Sequence, residues 1–258
     1  MQRLGKNHGG YHGERIDIHH VCRGAVHAAR QHGWQVETIP FDGGGELLTF
    51  QRHTPGARRN VYISSGIHGD EPAGPLAMQR LLVENLWPAD TNLFLCPCLN
   101  PTGFPLNRRE NLHGKDLNRD YKHFETAEAR AHIGWLQSLP GFDLALCLHE
   151  DWEANGFYLY ELNPDAAPSL AQRMLEAVAR ECPIDFAEVI EGRSACGGVI
   201  HPSHDPESRP QWPEAFWLLQ HKTRLSYTLE AASDFPLTAR VNALVAAVRA
   251  GLCSSASE

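Results

Sequence analysis

The run Leu144-Ala-Leu-Cys-Leu148 is apolar at every position. A short unbroken run of this kind suits a strand buried on both faces, and such strands occur where helices cover both sides of a mainly parallel sheet. The rest of the chain has the alternation that this arrangement needs. Strand-like runs occupy 36–40, 46–52, 60–65, 91–99, 143–148, 157–162 and 225–229. Helical spacing occupies 14–32, a segment opened by Pro72 and faced with Leu76, Met78, Leu81 and Leu82, then 125–139, 167–181 and 237–252. The expectation is an α/β fold with a twisted, mixed, largely parallel sheet and helices on both faces. No internal repeat, low-complexity tract or linker divides the 258 residues, so one domain spanning 1–258 is expected.

Composition removes several function classes. With 42% hydrophobic and 21% charged residues, the chain has enough apolar side chains for a packed core. The best apolar stretch, 93–99, is short and contains Pro97, so no membrane-spanning helix is expected. A net charge of −8 and a pI near 6.0 argue against a nucleic-acid partner, which needs a basic surface. The seven cysteines include Cys96-Pro-Cys98 but no paired C-x-x-C, so a structural zinc knuckle is not expected. Most of the cysteines lie in apolar runs, where a reduced thiol behaves as a small hydrophobe. Met1–Lys6 leads into a glycine- and histidine-rich loop over 5–13 rather than into an apolar segment, which makes the cytoplasm the default location.

Fifteen histidines are an unusual number for a chain of 258 residues, and their placement matters more than their count. His68 and Glu71 directly follow the strand-like run 60–65, in Ser64-Ser-Gly-Ile-His-Gly-Asp-Glu-Pro72. His149 ends the apolar run 144–148. In open α/β sheets, ligands bind beyond the carboxyl ends of strands, so these residues belong at one edge of the sheet. Two imidazoles and a carboxylate converging there form a candidate cation site with a fourth position left for water. His113, His201 and His204 read as exposed loop residues, although nearby spare histidines leave one or two metal ions open. Between the two strand ends lies a polar stretch, 100–122, without periodicity. A long irregular segment in a compact domain is usually functional.

That stretch reads Asn100-Pro-Thr-Gly103, then Arg109-Glu-Asn111, then Gly114-Lys-Asp116-Leu-Asn-Arg119. Together with H-x-x-E at 68–71, the strand-end His149 and Thr228-Leu-Glu230, it resembles the zinc metallocarboxypeptidase superfamily in motif order across about residues 60–232. The resemblance extends to the carboxypeptidase A-like enzymes, their bacterial relatives, and the succinylglutamate desuccinylase and aspartoacylase branches. It implies one zinc ion per chain on His68, Glu71 and His149, with Asp116 holding the His68 imidazole. It implies that Asn118 and Arg119 grip a substrate carboxylate, that Arg109 stabilises the oxyanion, and that Glu230 moves the proton.

The implied activity is hydrolysis of an amide beside a free carboxylate. The first reading is a metallocarboxypeptidase acting on small peptides. The alternatives are an N-acyl amino acid deacylase and a catalytically inert peptide-binding relative. The digestive members carry a phenolic tyrosine some twenty residues before the catalytic glutamate. The corresponding window here, 205–212, contains none.

Overall fold

A computed structural model of the chain describes residues 1–7 and 13–253, so part of the loop expected over 5–13 lies outside the described residues. Within them the chain runs α1 (Ile18–Gln31), β1 (Gln35–Phe41), β2 (Gly45–Arg52), β3 (Arg59–Ser65), α2 (Ala73–Glu84), β4 (Thr91–Cys96), α3 (Ala127–Ser138) and β5 (Leu144–Asp151). It continues through β6 (Tyr158–Leu162), α4 (Ala171–Val178), β7 (Val189–Ile190), β8 (Arg193–Cys196), β9 (Val199–Ile200), α5 (Glu214–His221), β10 (Ser226–Ala232) and α6 (Leu237–Leu252).

All the strands join one sheet in the order β1-β2-β4-β3-β5-β10-β6-β9-β8-β7. Its centre, β4-β3-β5-β10, is parallel, and most of the pairings outside it are antiparallel. The mixed α/β sheet is the expected one, with three of its four parallel pairings in β4-β3-β5-β10 and the fourth between β6 and β9.

Strand alternation sorts the side chains into two cores. Val61 and Ile63 of β3 and Leu144, Leu146 and Leu148 of β5 pack under α1, α2, α4 and α6. Tyr62, Ala145 and Cys147 point to the opposite face, under α3 and α5. Both faces of the central strands are therefore covered, which explains why β5 is buried along its whole length. Among the described residues no helix is long and apolar enough to cross a membrane.

Three local expectations are corrected. The first helix starts at Ile18 rather than at 14, because the Asp17 carboxylate accepts the His20 backbone N–H at 3.0 Å and caps it there. The helix expected over 167–181 forms only over Ala171–Val178. Upstream, the Asn163 side chain accepts from the Ala167 N–H at 2.9 Å and donates to the Ala167 carbonyl at 2.8 Å, which holds that segment in a turn. The segment expected to be a loop over 192–215 contains β8 and β9, which turn at Gly197-Gly198 (φ 59° and 84°) and add to β6. It runs into α5, which starts directly after Pro213.

Candidate active site

Strand β3 ends at Ser65, and the chain passes through Gly66 and Ile67 to His68 and Glu71 before Pro72 leads into α2. This loop lies hard against the 100–110 segment. A Cβ on Gly69 would sit 2.3 Å from the Gly103 carbonyl carbon, and one on Gly103 would sit 2.5 Å from the Glu110 carbonyl oxygen. Only glycine permits that backbone approach. Asn100 holds the turn, accepting the Gly103 N–H at 2.9 Å and donating to the Arg109 carbonyl at 3.2 Å.

His149 comes from β5, the neighbour of β3. His68, Glu71 and His149 are 2%, 6% and 4% exposed, and each offers a ligand atom within 4.8 Å of the others. His68 Nδ1 meets Glu71 Oε1, and His149 Nδ1 lies 3.1 Å from Glu71 Oε2. The same Oε2 accepts the Glu150 backbone N–H at 3.1 Å.

Burial alone would push the Glu71 carboxyl up, but the two facing imidazoles hold it well below the ordinary carboxylate range. Burial would likewise depress His68 and His149, yet the Glu71 charge raises both. The cluster thus draws positive charge to its centre. Two imidazole nitrogens and a carboxylate are the donor set of catalytic zinc sites, and they fit such an ion.

Asp116 stands behind His68, with Oδ1 3.4 Å from Nε2, a buried ring nitrogen that has no hydrogen bond of its own. Asp116 also accepts from Arg109 Nε at 2.9 Å and from the Asn118 N–H at 2.8 Å. One carboxylate therefore faces the imidazole, fixes the guanidinium and opens the 3₁₀ turn Leu117–Arg119. Arg109 reaches back toward the cluster, with Nη1 3.3 Å from His68 Nδ1 and 3.9 Å from Glu71 Oε1. Glu230 stands on β10 in register with His149 across the parallel pair. Loss of water around its carboxyl pushes it well above the ordinary range, helped by Glu71 and opposed by His149.

His68, Glu71, Arg109, Asn118, Arg119, His149 and Glu230 all line one cavity of about 470 Å³. The same cavity is also lined by residues that the sequence did not point to: Tyr160, Glu191, Arg193 and Arg209. The Tyr160 hydroxyl donates to Glu191, and the Arg209 guanidinium lies 4.7 Å over the Phe216 ring. Among the described residues Arg119, Arg193 and Arg209 have no carboxylate within 4.0 Å.

Residues 57–190, just over half of the chain, match the model of the succinylglutamate desuccinylase/aspartoacylase catalytic domain. The chain belongs to this family. The matched stretch carries every expected site residue except Glu230 and also stops short of Arg193 and Arg209. Its members sit within the zinc carboxypeptidase-like superfamily, and other relatives lie there too. Carboxypeptidase SOL1 of Arabidopsis thaliana is 30% identical over 114 residues, or 34% of this chain, which spans only 22% of the length of that relative. A solved chain classed as a metallopeptidase from Shewanella amazonensis SB2B matches with a TM-score of 0.78 at 25% identity, covering 91% of each chain. A metallo-carboxypeptidase from Pseudomonas aeruginosa, solved with (2-guanidinoethylmercapto)succinic acid, matches with a TM-score of 0.66 at 19% identity. It covers 92% of this chain and 68% of its own, and at that identity the likeness is one of fold.

No local spacing in this desuccinylase/aspartoacylase family member could have revealed these further lining residues. Arg193 belongs to the β8–β9 hairpin, which reaches the cavity only because β9 pairs with β6. Arg209 comes from a loop whose position depends on Lys122, which donates to the Arg209 carbonyl at 2.9 Å.

Proposed function

We propose that this chain is one catalytic domain that hydrolyses an amide bond beside a free carboxylate, using a single zinc ion held by His68, Glu71 and His149. The observation that carries the reading is one cavity lined both by a buried two-imidazole, one-carboxylate cluster and by guanidinium groups without acidic partners within 4.0 Å. When bound, zinc supplies a Lewis acid that acidifies water and polarises a carbonyl. The remaining chemistry belongs to the side chains. Arg119 and the Asn118 amide bind the substrate carboxylate, the guanidinium through its planar fork. Arg109, fixed by Asp116, offers N–H donors to the oxygen on which charge develops. Glu230 takes the proton of the attacking water and returns it to the leaving nitrogen, a task that suits a carboxyl whose proton affinity is raised.

The first substrate reading is a small peptide cleaved at its C-terminal bond, as a metallocarboxypeptidase would cleave it. The second is an N-acyl amino acid, and the family match together with the additional positive charge of Arg193 and Arg209 favours it. Release of free amino acid from N-blocked dipeptides and from N-acyl amino acids, assayed in parallel with their carboxamides, tests both. Free acids should be cleaved far faster than carboxamides. Equal cleavage of acid and carboxamide would remove both readings and leave an endopeptidase or another amidase.

A further inference from the structure

Glu214, the first residue of α5, is a buried carboxylate that the proposed reaction leaves without a role; it is 1% exposed. The Tyr62 hydroxyl donates to Oε1 at 2.7 Å and the Ser64 hydroxyl donates to Oε2 at 2.9 Å. Both donors belong to β3, the strand that leads to His68. Behind Tyr62 stands His132 of α3, whose Nε2 is 2.8 Å from the Tyr62 oxygen and whose Nδ1 is 2.7 Å from the Tyr121 hydroxyl.

The Tyr62 hydroxyl has one proton and gives it to Glu214, so its oxygen accepts from His132 and His132 donates from Nε2. His132 Nδ1 then accepts from Tyr121. The chain of bonds has one direction and ends on Glu214. None of these side chains opens to solvent.

What this buried anchor holds is the backbone of residue 214. The Glu214 N–H donates to Asn118 Oδ1 at 2.9 Å. Because that oxygen is occupied, the amide orientation of Asn118 is fixed. Its Nδ2 donates to no other group among the described residues, and Asn118 lines the cavity. A flipped amide would present oxygen to an anion and leave the Glu214 N–H buried against an NH₂ group.

We propose that Glu214 is a positioning residue for the anion-binding side of the cavity, its carboxylate pinning the start of α5 to β3 so that its own N–H holds the Asn118 amide with Nδ2 presented to a substrate carboxylate. This rests on the reading of Asn118 given above. The competing account makes Glu214 a stabilising group only.

The two accounts differ in how KM and kcat respond. The probe is whichever N-blocked dipeptide or N-acyl amino acid the parallel assay selects, together with its carboxamide. For the free acid, Glu214→Ala should raise KM about tenfold, the scale of one hydrogen bond to a charged group, while kcat stays within about threefold. For the carboxamide its KM should equal that of the wild type. Glu214→Gln keeps an acceptor and should restore most of the affinity. A folded Glu214→Ala variant with unchanged KM, or with kcat reduced alike on acid and carboxamide, overturns the proposal. If Glu214→Ala does not fold, Ser64→Ala removes a single donor. A rise in KM at unchanged kcat then supports the proposal, and an unchanged KM overturns it. Asn118→Ala separates the two layers: if it leaves KM unchanged, the reading of the anion site fails with everything built on it, whereas a raised KM there beside an unchanged Glu214→Ala sinks the positioning role alone.

Discussion

Glu230 and Arg109 stand on different elements yet face the same cluster, and their assigned tasks separate in kinetics. Glu230→Gln removes the proton carrier without touching the three proposed ligands. It should keep zinc and fold while kcat falls at least 10²–10⁴-fold, the ordinary range for general acid–base removal. Wild-type kcat in that variant would remove Glu230 from the role. Arg119 and Arg109 make a second contrast. A carboxylate contact exists in both ground and transition states, so Arg119→Ala should act mainly on KM. Oxyanion charge appears only during reaction, so Arg109→Ala should act mainly on kcat. Steady-state kinetics of the two variants on one substrate checks the split. These residues were legible through the motif order that resembles the zinc metallocarboxypeptidases, and Arg109 and Arg119 also because they fall in a stretch too polar and irregular to be core. Tyr160, Glu191, Arg193 and Arg209 were not, since their place in the cavity comes from tertiary pairing.

At the scale of elements, the sheet core was readable from 144–148, whose unbroken apolar character leaves no exposed face, and from the apolar centre of 60–65, Val61-Tyr-Ile63. The extent of α4 and the existence of β8, β9 and α5 were not, because side-chain turns and a glycine hairpin decide them. What positions Glu71 is also hidden in the sequence. Arg240 of α6, fully buried, pairs with Glu150 and Glu14. Glu150 in turn accepts the Ala73 N–H at the start of α2 at 2.5 Å, while its own backbone N–H binds Glu71. Removing one partner of a buried pair leaves the other uncompensated, at a typical cost of about 3–5 kcal/mol. Arg240→Ala should lose that much stability in urea unfolding and should also weaken metal retention. A loss below about 1 kcal/mol would show that the network is not structural.

The whole molecule carries a net charge of −8, and one of its histidines, His132, is locked neutral. Burial pushes His132 down to about 3, against about 6.5 when unfolded. Between those values the unfolded chain binds a proton that the folded chain does not, so stability contributed above pH 6.5 is lost as pH falls and is gone near pH 3. From pH 6.5 to 5 this one group should cost about 2 kcal/mol. Urea midpoints at pH 7 and 5 should differ more in the wild type than in His132→Gln, and an equal drop in both would assign the acid sensitivity elsewhere.

The account as a whole depends on the His68–Glu71–His149 cluster, and elemental analysis of the isolated protein tests it most directly. About one zinc per chain is expected in the wild type, with most of it lost in His68→Ala or His149→Ala and essentially all of it in the double variant. A folded double variant that remains fully loaded with metal would contradict the account.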